Sequence, residues 1–74
     1  MNELETWLEL HTNWLHAKAE AEMAQLELCE KTQYFLLRKG EAPNYQMQQR
    51  VDSLWLNEVE KRGLLDEFIS DHYE

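Results

Sequence analysis

Residues 3–39 contain neither glycine nor proline, and their apolar residues return every seven positions. This pairing constrains the chain more than any other feature. One row reads Trp7, Trp14, Ala21, Leu28, Phe35. A second reads Leu8, Leu15, Glu22, Cys29, Leu36, and a third Leu10, Ala17, Ala24. Rows of this spacing share one face of an α-helix, and no strand-like alternation competes with them. Ala, Leu, Glu, Gln and Lys dominate the stretch, and all favour helix. The spacing predicts one helix over 3–39, about 55 Å long at 1.5 Å per residue. Asn2 is a suitable N-cap, and Glu3 and Glu5 suit the positive end. Arg38 and Lys39 suit the negative end, with Gly40 expected at C′ in the left-handed conformation.

A second helical pattern follows. Pro43 fits its first turn, and Met47, Val51, Leu54, Trp55 and Val59 supply its apolar positions. Lys61 and Arg62 precede Gly63, which reads as a stop or a kink. A last amphipathic piece carries Leu64, Leu65, Phe68, Ile69 and Tyr73, with Asp66, Glu67, Asp71 and Glu74 on its other face. The expected fold is all-α: one domain over 1–74, an antiparallel helical hairpin with a long first helix and a second arm kinked or broken near Gly63. A turn at 40–42 places position i opposite roughly 82 minus i. Phe35 then lies near Met47, Leu28 near Leu54, and Ala21 and Ala24 near Trp55 and Val59, while Trp14 meets Phe68 only if the last segment folds back in line after Gly63.

A chain of 74 residues buries only about 60% of its unfolded surface and needs support from elsewhere. Cys29 is the single cysteine, so no internal disulfide supplies it, and the usage fits a reducing, cytoplasmic compartment. The net charge of −8 disfavours nucleic acid and anionic membranes as partners. No run of about 18 apolar residues spans a bilayer, and the opening Met1-Asn2-Glu3-Leu4-Glu5 lacks the basic start of a signal peptide. Three tryptophans, two phenylalanines and three tyrosines exceed what one hairpin seam holds. The surplus implies a protein partner or a homodimer. The expected partner-facing residues are Trp7, Leu10, Trp14, Leu15, Tyr34 and Leu37.

Chemistry finds little footing. His11 and His16 are five apart and do not share a helix face, so the zinc spacing of four is absent. Cys29 sits in an apolar row, where a free cysteine acts as a small hydrophobe. Ser53 and Ser70 lie in no nucleophile elbow, and no glycine-rich phosphate loop is present. The reading is a non-enzyme with no metal and no cofactor.

The turn adds a family resemblance. Gly40, Glu41, Ala42, Tyr45, Gln46 and Gln49, with Arg50 and Leu54 after them and Leu4-Glu5 at the start, match the turn pattern of the small E-type cochaperones of type III secretion needle subunits. That sharp match covers about a dozen residues, while Pro43, the three tryptophans and the acidic tail after Gly63 depart from the family. The resemblance implies a cytoplasmic, virulence-associated helical hairpin that binds a helical-repeat chaperone. Together they hold the needle subunit soluble and unpolymerised. Read physically, Tyr45 would pack near Leu37, and Gln46 and Gln49 would satisfy free backbone groups at the turn. Two other classes compete: a small acidic inhibitor or nucleic-acid mimic of phage type, and a structural homodimer forming a four-helix bundle.

Overall fold

A computed structural model describes residues 2–73, the side chain of Tyr73 excepted. The roles expected of the Tyr73 side chain and of Glu74 lie outside the described residues. Two helices form the fold: α1, Glu3–Leu36, and α2, Tyr45–Tyr73. They pack against each other as a hairpin measuring 54 × 16 × 15 Å between Cα atoms.

Asn2 caps α1 as expected, its side chain accepting from the Leu4 N–H at 2.8 Å. The other end differs from the reading. The helix stops at Leu36, and Arg38 takes the left-handed conformation at φ 59°, while Gly40 does not. The Arg38 N–H bonds to the Phe35 carbonyl and the Lys39 N–H to the Tyr34 carbonyl. This is the paired closure of a Schellman turn with Arg38 at C′. The two basic residues therefore lie past the helix rather than in its last turn.

Pro43 also sits one step outside its expected place. Asn44 is the N-cap of α2, its Oδ1 accepting from the Met47 N–H at 2.9 Å. An asparagine satisfies an orphan N–H that proline cannot reach, so the helix begins after Asn44. Tyr45 is 75% exposed and Leu37 63%, so neither side chain is packed away as expected. Asn44 does the capping expected of Gln46 and Gln49.

α2 runs unbroken through Gly63. A helical glycine costs only about 1 kcal/mol relative to alanine, too little to end a helix anchored on both sides. Leu65 lies buried just beyond it.

The seam is narrow. Ala17, Ala21 and Ala24 are buried on α1, and Val51, Glu58 and Leu65 on α2. Small residues let the two backbones approach closely. The reading placed Val59 opposite those alanines, but Val59 is 48% exposed and Glu58 is 5% exposed. On α2 the row 51, 58, 65 is buried and the row 47, 54, 61, 68 half-buried, and the two skip Val59 by one position. One residue is 100° of helix, enough to move a side chain out of a seam.

The register also departs from a constant 82 minus i. Near the turn it holds: Trp55 Nε1 donates to Gln25 Oε1 at 2.6 Å. Towards the open end Trp14 bonds to Glu58, not Phe68, and Phe68 borders a hollow with Asn2, Glu3, Leu4 and Trp7. Long side chains leave their Cα by most of a helical turn, so Cα bookkeeping misplaces their partners.

Candidate interaction surface

The seam holds one charge deep inside. Glu58 Oε1 accepts from Trp14 Nε1 at 3.0 Å, and Arg62 lies at 3.8 Å on the same oxygen. Lys18 Nζ stands 5.5 Å from the Trp14 ring centroid. Trp7 stacks on His11 at 4.6 Å, and His11 meets Trp14 at a tilt. Across the same end Phe68 stacks on His72 at 4.1 Å. The hydrogen bond and nearby cation compensate the desolvation of the carboxylate. No buried side-chain N or O among the described residues lacks a partner.

The six expected partner-facing residues are not gathered into one surface. Trp7, Leu10 and Trp14 are half-buried along the seam, while Leu15, Tyr34 and Leu37 are exposed. Those last three look in different directions, because their seven-residue rows differ. The rows that begin at Leu4 and Leu8 lie to one side of the α1 seam, and the rows from Thr6 and Glu9 lie to the other. On α2 the rows from Gln48 and Asp52 lie to one side, those from Arg50 and Ser53 to the other. The Trp55–Gln25 bond joins the first side of α1 to the first side of α2. The hairpin thus has two broad flanks.

Their chemistry is opposite. The first flank carries Leu8, Leu15, Leu36, Trp55, Val59 and Ile69, with Lys18 and Arg62 set among Glu22, Asp52 and Asp66. It is apolar and close to neutral. The second carries Glu9, Glu20, Glu27, Glu30, Glu60, Glu67 and Asp71 against Arg50 alone, with Met23, Tyr34 and Leu64 exposed among them. Most of the net charge of −8 therefore stands on one side. Leu15 belongs to the neutral flank, Tyr34 to the acidic flank and Leu37 to the turn.

The neutral flank also bears a shallow hollow of about 360 Å³, bordered by Glu22, Gln25, Leu26, Cys29 and Trp55. Cys29 is exposed there rather than packed. Sequence reasoning missed Trp55, Val59 and Ile69 as surface residues. The signal was present: charges counted row by row separate the flanks before any coordinates are known.

At the turn, Gly40, Tyr45, Gln46 and Gln49 are all exposed, and Pro43 is half-buried. Besides the Asn44 cap, Gln48 Nε2 donates to Asp52 Oδ1 at 3.0 Å. No helix among the described residues is long and apolar enough to cross a membrane. No protein-family model, curated protein or solved structure matches this chain.

Proposed function

We propose that this hairpin is a non-enzymatic binding protein that lays its neutral flank into the groove of a helical partner. The observation that carries the reading is the segregation of net charge: one flank is nearly neutral and bears exposed Leu8, Leu15, Leu36, Val59 and Ile69, while the other bears most of the uncompensated carboxylates. Helix-in-groove recognition uses an amphipathic face of this kind. The resemblance at residues 40–49 supplies the partner class: a helical-repeat chaperone that, with this protein, keeps a type III secretion needle subunit soluble in the bacterial cytoplasm. The exposure of Tyr45, Gln46 and Gln49 supports this, since three residues of the shared pattern are open to contact. Binding stabilises the hairpin by mass action, as any ligand of the native state does.

Co-expression with a helical-repeat chaperone and a needle subunit tests it. The expected result is a stoichiometric soluble complex that Leu15→Glu and Val59→Glu weaken. A complex that ignores both substitutions, or none at all, defeats the reading.

The acidic flank favours a second reading, an inhibitor that occupies a basic surface on another protein. Glu20 and Glu27 are one seven-residue repeat apart, about 10 Å along the axis, so the carboxylates form a line. Binding to a basic protein that collapses with added salt, and with Glu20→Gln and Glu27→Gln, identifies this mode.

A further inference from the structure

A chain of 9.0 kDa folded as a compact monomer exposes about 4,900 Å². This hairpin exposes 6048 Å². The excess, roughly 1,200 Å², exceeds the ~800 Å² that each partner covers in a standard interface. The flank itself, 54 Å by about 16 Å, presents an area of that size.

We infer that the neutral flank is covered by a second copy of this chain, packed face to face and antiparallel along the long axis. The charges on the flank select this arrangement. They are of both signs, so neither a strongly basic nor a strongly acidic partner matches them. A copy of the same flank does, if a two-fold axis crosses the hairpin at the right level. Lys18 and Glu22 lie symmetrically about position 20 of α1, and Arg62 and Asp52 about position 57 of α2. The cross-helix bonds Trp55–Gln25 and Trp14–Glu58 bracket the register that sets positions 20 and 57 level. One axis therefore serves both pairs. It sets Lys18 against Glu22 of the second copy, Arg62 against Asp52, Trp55 against Val59 and Leu4 against Leu36. An isologous interface requires such reciprocity. A two-fold along the rod instead sets Lys18 over Val59 and Arg62 over Leu15, opposing charge to apolar surface. The antiparallel arrangement turns both acidic flanks outward, where water and salt screen them. It produces a four-helix bundle with the alanine seams inside each half.

The inference does not depend on the partner proposed above, which would compete for the same flank. Sedimentation equilibrium of the purified chain, from low micromolar to sub-millimolar, tests it. The expected species is a dimer of twice the 9.0 kDa chain mass. Val59→Glu and Leu15→Glu are expected to weaken association at least tenfold, since each puts an unpaired charge in the interface, a change of about 1.4 kcal/mol or more. Met23→Glu and Leu64→Glu, on the acidic flank, are expected to leave it unchanged. Lys18 and Glu22 also stand 3.9 Å apart within one helix, so the charge swap is made between copies: the Lys18→Glu chain and the Glu22→Lys chain each self-associate more weakly, and mixing the two restores association. All these positions but Lys18 are exposed and Lys18 is half-buried, and far-UV circular dichroism confirms that each variant stays helical. A monomer throughout the range overturns the inference, as does a dimer insensitive to the neutral-flank substitutions. Failure of the charge swap to restore association overturns the antiparallel arrangement. Chaperone binding is read separately by the co-expression assay, so the pairing of the isolated chain and the chaperone reading fail or stand on different measurements.

Discussion

The two ends of the hairpin are built on different terms. At the turn end the helices are tied by the chain itself, and their apolar residues are left open: Tyr34, Phe35, Leu36, Leu37 and Tyr45 are all exposed. At the other end nothing covalent joins the helices, and the rings are packed instead. Trp7 stacks on His11, which meets Trp14 at a tilt along α1, Phe68 stacks on His72 along α2, and Glu58 draws Trp14 across the seam. Connectivity lowers the entropy of keeping two helices together near a turn, so packing is dispensable there. Where connectivity is remote, side chains must do the holding. The turn end is thereby free to keep apolar surface for other uses.

The largest test of this contrast is Trp14→Ala. It removes a half-buried indole and strands Glu58 without its donor, so a loss of about 3 kcal/mol is expected. Urea unfolding followed by circular dichroism reads it. A loss below about 1 kcal/mol would show that the open end is not held by this contact. Next comes a matched pair. Phe68→Ala is expected to cost about 2 kcal/mol, whereas Phe35→Ala, exposed at the turn end, costs under about 1 kcal/mol. Equal costs break the comparison outright.

Asn44→Ala probes the turn end where it does depend on a specific contact. Loss of the cap bond to Met47 is expected to cost about 1 kcal/mol, or a fall in melting temperature of about 4–8 °C for a domain of this size. The smallest effects concern the loop. Arg38→Gly relieves a left-handed conformation and is expected to stabilise by about 0.5–1 kcal/mol. Gly40→Ala is expected to change stability by less than about 0.5 kcal/mol. Its new Cβ meets only the Tyr34 Cβ, at 3.7 Å, an ordinary contact. A large loss at Gly40 would return the helix stop to that residue.

The hairpin was legible in the sequence because a stretch free of glycine and proline carries a sustained seven-residue repeat, and only a long helix accommodates both. The N-cap at Asn2 was legible for a local reason, since capping depends on one side chain and the next few backbone groups. The C-terminal stop was not. A strand of backbone carbonyls can be closed by any residue that tolerates the left-handed region at modest cost, so Arg38 took the place that Gly40 advertises. Gly63 misled in the opposite sense, because its propensity cost is offset by packing that the sequence does not display. Glu58 was passed over because a carboxylate at a seam position violates the apolar pattern, and Val59 beside it satisfies that pattern. Only the third partner, Trp14, explains the exchange, and it lies 44 positions away. The expected surface residues were picked singly, by size and aromaticity. The flanks emerge only when rows from both helices are set side by side.

The elongation of the hairpin carries a practical consequence for how its size is read. Its Cα radius of gyration is 16.9 Å, whereas a compact chain of this length has one of about 11 Å. That radius of gyration equals the one of a globular protein of roughly 200 residues. Retention on a calibrated column follows shape as well as mass, so it overstates the mass of a single hairpin. Face-to-face pairing adds thickness without length, so the frictional ratio falls as the mass doubles. Methods that weigh particles, rather than those that gauge how fast they drift, will distinguish one hairpin from two.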